Sequence, residues 1–205
     1  MTLQTLERRA LGSVVELRAD PAISSSGRMI VGYAAIFNSA TLICQDFEEV
    51  IAPGAFAAAI GRDDVRALID HDPSLILGRT TAGTLRLAED AKGLRCEIDT
   101  PSTSVAADLL ISMDRGDVTQ MSFAFRAVRQ SWDETLPVIR RTIEEVELFD
   151  VSVVTYPAYP DTEAEACAKR SLMDWRSARP MVPAANSVRR LKIKRDLLTR
   201  IPLRA

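Results

Sequence analysis

A chain of 205 residues, 47% hydrophobic and only 5% aromatic, has the length and apolar content of one ordinary domain with a core of Val, Ile, Leu and Ala. No apolar run reaches 18 residues, which excludes a transmembrane helix, and Met1–Arg9 lacks the basic-then-apolar order of a signal peptide. Residues 161–205 hold 11 Lys/Arg against 5 Asp/Glu, leaving 15 against 23 for residues 1–160, so a body of −8 carries a tail of +6 within the formal −2. That asymmetry marks a boundary: a body over 1–160 and a basic, partly helical or mobile tail over 161–205.

In chain order, Gly12–Arg18 is predicted as a first strand, ended by Asp20-Pro21, and Met29–Phe37 as a longer one whose Gly32 suggests a bulge or a close backbone approach. Thr41–Glu49 is expected as loop. Ile51–Ile60 has the composition of a short helix entered near Pro53 and stopped by Gly61. Val65–Ile69 is a short strand that delivers Asp70-His71-Asp72-Pro73, where Pro73 turns the chain away from helix. Leu75–Thr80 follows, then an alternating hairpin of Thr84–Leu87 and Leu94–Ile98.

Ser102-Thr103-Ser104 supplies N-cap hydroxyls to a helix from about Val105 to Arg115. Val105, Leu109, Leu110 and Met113 recur there at helical spacing, and Gly116 stops it. Next comes a strand reaching about Val128, with Ser122 between Met121 and Phe123. Pro137–Val146 and Leu148–Tyr156 read as two more strands, and Pro157 and Pro160 close the body. From Thr162 onward a short helix and a basic stretch are expected, with Ser187–Leu198 either helical or part of a mobile tail. The fold class is mainly β with helical decoration (α+β), a mostly antiparallel barrel or sandwich; no βαβ alternation argues for a parallel sheet.

Chemistry has few places to reside. Cys44, Cys96 and Cys167 have no metal-type spacing and fit a reducing compartment, and Cys96 reads as packed rather than reactive. The single histidine excludes a His-rich metal site within one chain, and no cofactor motif is present. His71 is either a surface residue in an acidic turn or a general base, since imidazole changes charge near neutral pH. Ser122 is either a small filler or a nucleophile, and a nucleophilic serine needs that imidazole within reach. A third group must hold the imidazole's tautomer. Asp150 is the leading candidate because it interrupts an otherwise apolar strand, where an unpartnered carboxylate is costly. Glu147 is the runner-up, within the acidic run Glu144–Glu147, and Asp70 and Asp72 lie too close to His71 in sequence to be favoured. Arg79 could face a developing oxyanion, but a solvated or ion-paired arginine explains it as well. The basic run Arg189–Arg195 lacks interleaved aromatics, so nucleic acid is not an expected partner.

Taken in order, several segments resemble the prohead (capsid maturation) serine proteases of tailed bacteriophages. They are Gly32–Asn38, Ile51–Phe56, Asp70–Pro73 with Leu77–Thr80, Gly83–Leu85 with Gly93-Leu94, Arg115–Val118 with Met121–Phe125, and Leu148–Val154 with Pro157–Tyr159. The resemblance spans about residues 28–160. It implies a herpesvirus-assemblin-like β barrel and a serine endopeptidase with Ser122, His71 and Asp150 as catalytic residues. Two positions depart from the family pattern: Asp150 stands where glutamate is common, and Gln120 where glycine is frequent. The partners implied are the major capsid protein with its scaffolding region, and further copies of the chain itself through self-processing. The place implied is the assembling prohead in the host bacterial cytoplasm, with no membrane and no cofactor. A catalytically inactive assembly protein of the same fold is the alternative.

Overall fold

The structure is a computed structural model that describes residues 6–9, 16–18, 28–44, 47–156 and 171–177. Its centre is the antiparallel pair β10 (Gln120–Asp133) and β11 (Ile139–Val154). The latter joins what the sequence divides into two strands. Around that pair lie β1 (Glu7–Arg9), β4 (Thr41–Cys44), β5 (Phe47–Ile51), β6 (Arg66–Ile69) and β7 (Asp72–Arg79), which complete a seven-stranded sheet. A second sheet runs β2 (Glu16–Arg18), β3 (Met29–Ile36), β9 (Gly93–Asp99) and β8 (Leu85–Glu89) in the order β2-β3-β9-β8. The described residues are therefore mainly β with few helices, as the pattern of predicted elements implies.

Three expectations are corrected. Thr41–Glu49 is not loop but contributes β4 and most of β5. The helix near Pro53 begins later and is shorter, α1 (Ala57–Arg62), with Gly61 inside it. Parallel pairing does occur: β5 runs parallel to residues 139–143 of β11, and β6 parallel to residues 150–153. Parallel strands need only a long connection, and here it is most of the intervening chain rather than one adjacent helix. The described strands pair as two separate sheets, so the barrel closure implied by the resemblance is not among their pairings.

Between its two parallel neighbours β11 would expose unpaired backbone, and the α1 region covers it. Val146 N–H donates to Ala55 O (3.1 Å), Leu148 N–H to an Asp63 carboxylate oxygen (2.8 Å), and Arg62 donates to Val146 O (3.2 Å). This satisfies groups that are costly to bury unpaired.

The core lies between the sheets. Phe123 meets Phe56 edge-on at 5.4 Å and stacks with Phe125 at 5.0 Å, among Ile30, Leu94 and Ile98, all fully buried. Strand β10 sends Met121, Phe123 and Phe125 into this core and turns Ser122 to the opposite face. Strand β11 does the same through a bulge. Val146 and Leu148 face the core, Phe149 is the extra residue between the pairs Phe125–Leu148 and Ala124–Asp150, and beyond it Val151 and Val153 face the core. The inserted residue flips the alternation and sends Asp150 and Ser152 to the face that carries Ser122.

Helix α2 (Ser104–Asp114) agrees with the capping signals: Thr103 Oγ1 accepts from Ala106 N–H (3.3 Å), and Gly116 at φ +81° follows its end. A bulge in β3 falls between Tyr33 and Ala35 rather than at Gly32. Opposite it, a Cβ on Gly93 would stand 2.0 Å from Ala35 O. Gly93→Ala is expected to lower stability by about 1–3 kcal/mol by overpacking backbone against backbone; an unchanged thermal midpoint would contradict this contact. Residues 171–177 form a short helix in a second compact unit. The remaining tail readings, including Ser187–Leu198, the basic run and Cys167, lie outside the described residues, as do residues 157–160 of the body.

Candidate active site

Strand β6 ends in the two-residue turn Asp70-His71, with φ of +48° and +58°, and Ile69 pairs with Asp72 across it. A two-residue hairpin with both central residues left-handed matches the natural strand twist, and aspartate tolerates that conformation better than most residues. Asp70 N–H donates to Val153 O (2.9 Å), so the turn sits at the end of β11. From there the imidazole reaches the face bearing Ser122, Asp150 and Ser152.

His71 Nδ1 lies 2.6 Å from Asp150 Oδ1, and His71 Nε2 lies 2.7 Å from Ser122 Oγ. An ionised carboxylate only accepts, so Asp150 places the proton on Nδ1 and leaves the Nε2 lone pair for the Ser122 hydroxyl. The His71 and Asp150 side chains are 8% and 12% exposed, so their contact is largely screened from water. Ser152 stands directly opposite Ser122 in the β10–β11 register, and its hydroxyl donates to Asp150 Oδ1 (2.8 Å). Asp150 Oδ1 thus holds two donors.

Ser122 Oγ has a second neighbour. It donates to Arg9 O at 2.9 Å, because β1 pairs with β10 at Arg9–Phe123. A hydroxyl has one proton, so Arg9 O and His71 Nε2 compete for it. Ser122 has no exposed surface.

The other candidates are elsewhere. Glu147 pairs with Arg126 at 2.5 Å on a half-exposed surface. Asp72 accepts from Ser74 N–H (2.8 Å) and Ser74 Oγ (2.6 Å), a local turn. Arg79 donates to Asp64 (2.8 and 2.5 Å), and these bonds hold the exposed Asp64 carboxyl at about 2. Cys96 is fully buried, and burial pushes its thiol up to about 12, which leaves no thiolate at neutral pH. Among the described residues no group of His, Cys, Asp and Glu could hold a metal ion, and no helix is long and apolar enough to cross a membrane.

Sequence reasoning missed the support of this site. Glu7, Arg9, Glu49 and Arg141 form a buried ionic quartet on the core side of the sheet. Arg9 donates to Glu49 (2.7 Å) and Glu7 (2.6 Å), and Arg141 donates to Glu7 (2.7 Å), Glu49 (2.8 Å) and Gln130 (2.6 Å). Arg141 also lies over the Trp132 ring. Burial pushes the Glu7 carboxyl up, but Arg141 and Arg9 outweigh it and hold it below the usual range. The quartet fixes β1, and with it the Arg9 carbonyl beside Ser122. Charges at inward positions of short strands were the available signal.

Three comparisons bear on the chain. The family model described as caudovirus prohead serine protease matches residues 13–175. The prohead protease of Enterobacteria phage HK97 is 34% identical over 133 residues, 62% of this chain and 54% of that protein. The chain thus spans about half the length of that curated relative. The solved structure of the bacteriophage T4 capsid assembly protease, gp21, superposes with a TM-score of 0.52 at 11% identity, covering 73% of this chain and 97% of that one, a likeness of fold.

Proposed function

The chain belongs to the caudovirus prohead serine protease family, and from that premise we propose that it is a serine endopeptidase of capsid maturation. Its substrates in this reading are the scaffolding region of the major capsid protein and the chain itself. Its place is the assembling prohead in the host bacterial cytoplasm. The observation that supports the reading is the line Ser122–His71–Asp150, hydrogen-bonded at 2.7 and 2.6 Å, in a member of that family. An assemblin-like barrel is the finer fold expectation that goes with it.

The chemistry follows from the geometry. Ser122 Oγ adds to the scissile carbonyl carbon as its proton passes to His71 Nε2. Asp150 keeps Nδ1–H in place and stabilises the imidazolium, and backbone amides stabilise the oxyanion. The imidazolium returns the proton to the leaving amine, and water repeats the sequence on the acyl-enzyme. Substrate must displace the Arg9 carbonyl from the hydroxyl, so productive binding includes local movement at β1.

Co-expression with the capsid protein tests this. Wild type yields shortened capsid protein and Ser122→Ala yields full-length protein; shortening that persists with alanine would overturn the reading. The complete burial of Ser122 favours one rival, an inactive assembly protein of the same fold. That rival requires the purified chain to keep its full mass on storage and His71→Ala to change no processing.

The acid is separable in the same assay. Asp150→Asn is expected to slow cleavage about 10⁴-fold by losing the tautomer it enforces. Glu147→Gln, which loses only a surface pair worth about 0–1 kcal/mol, is expected to leave the rate within a few-fold. The reverse ranking would assign the role to Glu147.

A further inference from the structure

We propose that Asp70 is a positioning residue: its carboxylate clamps the turn that carries His71 to Thr155, and so fixes the imidazole between Ser122 and Asp150. One Asp70 carboxylate oxygen accepts from Thr155 N–H at 2.7 Å, and the other accepts from Thr155 Oγ1 at 2.9 Å. Thr155 follows directly on β11, the strand that supplies Asp150 and Ser152. The clamp therefore ties the carrier of the base to the strand that carries the acid.

The turn needs such a tie. His71 occupies a left-handed backbone conformation at φ +58°, next to a second such residue, Asp70, at φ +48°. Neither is glycine, and although Asp and His enter that conformation more readily than most side chains, it remains uncommon away from glycine and costs free energy that surrounding contacts must offset. Pairing of Ile69 with Val153 and Asp72, and the backbone bond to Val153 O, hold the base of the turn, but none of these contacts reaches the side chains at its tip. The two carboxylate bonds to Thr155 supply two further points, which together determine an orientation. His71 Nε2 and Nδ1 have partners at 2.7 and 2.6 Å on different strands, so a small pivot lengthens both contacts. Misplacement by about 1 Å can cost on the order of 100-fold in rate. Asp70 and Thr155 are both exposed, so replacing either leaves the core intact.

This rests on His71 acting as the base, and the test separates the two. His71 is the only histidine, so ¹⁵N-histidine labelling of the full-length chain gives one imidazole spectrum. In a Ser122→Ala parent, which does not cleave itself, the Nδ1–H held by Asp150 is expected as a protected low-field resonance. Adding Asp70→Ala or Asp70→Gly is expected to broaden it or abolish it. Asp70→Asn, which tolerates the left-handed turn and can still bond Thr155, is expected to restore it. With Ser122 intact, the rate of capsid-protein shortening should fall about 10- to 100-fold for Ala and Gly and stay within about threefold for Asn.

Glycine is the decisive arm, because it suits the backbone and lacks the clamp. Wild-type spectrum and rate with Asp70→Gly overturn the proposal, as does Asp70→Asn behaving like Asp70→Ala. A parent without the protected resonance overturns the geometry on which it stands. If wild type never shortens capsid protein, the protease reading fails, while the imidazole spectra still decide the role of Asp70.

Discussion

Replacing Ser122 by alanine is expected to reduce peptide-bond cleavage about 10⁶-fold, and adding His71→Ala to that chain is expected to cost almost nothing more. Groups that act as one unit lose nearly everything with the first member removed. Here the unit is visible as a chain of contacts: Nε2 has no other role once Oγ is gone, and Nδ1–H orients an imidazole with no proton to take. The residual rate comes from substrate binding and oxyanion stabilisation alone. Initial rates of capsid-protein cleavage for the two single variants and the double variant provide the measurement. Two separate losses that multiply would mean that Ser122 and His71 act independently, and the hydrogen bond at 2.7 Å would then be structural.

Arg141→Ala is expected to destabilise the protein by about 3–5 kcal/mol, the cost of leaving buried charges without their partner. Arg141 has no exposed surface, and its guanidinium serves Glu7, Glu49 and Gln130 together. Removing it leaves Glu7 and Glu49 sharing Arg9. For a domain of this size each kcal/mol moves the melting temperature by about 2–4 °C, so a fall of roughly 6–20 °C is the expected reading. Apolar replacement of all four charged residues should cost far less than Arg141→Ala, since no charge is then stranded. The sign with pH is also fixed. The Glu7 carboxyl is held below its unfolded value of 4.5, so its contribution is complete above that pH and is lost as pH falls through the folded value. Acid titration of the melting temperature should therefore fall below about pH 4.5, and should flatten in Glu7→Gln. A melting temperature unchanged in Arg141→Ala would mean that the quartet carries no net stabilisation.

Much of the central architecture was legible in sequence because it is local. The 84–98 hairpin, the capped helix after Thr103 and the alternation around Ser122 are each set by neighbours within about ten residues of chain. The parallel partners of β11 were not, because pairing between residues as far apart as 47 and 139 or 66 and 150 leaves no local period to read. Loop expectations at 41–49 failed for a related reason. Glu49 faces inward in β5, and only Arg9 and Arg141, distant in sequence, make that carboxylate compatible with burial. For the site, residue types were enough to nominate Ser122, His71 and Asp150. Asp150 and Glu147 share the face that carries Ser122, and what separates them is position along the strand: Asp150 lies opposite Ala124 and touches His71, whereas Glu147 lies opposite Arg126 and pairs with it. Ser152, the Arg9 carbonyl and the Asp70 clamp act through distance alone, and serine, a backbone carbonyl and a turn aspartate have no distinctive pattern.

The bulge at Phe149 also separates kinds of genetic change. Asp150 and Ser152 lie two apart on one face, so a point substitution at either alters reach or polarity and leaves the direction unchanged. Losing or gaining one residue between Leu148 and Asp150 would instead rotate the rest of the strand by half a turn. Val151 and Val153 would leave the core as the carboxylate entered it. The site can therefore drift between acids of different length by single-base change, while this short interval is closed to insertion and deletion.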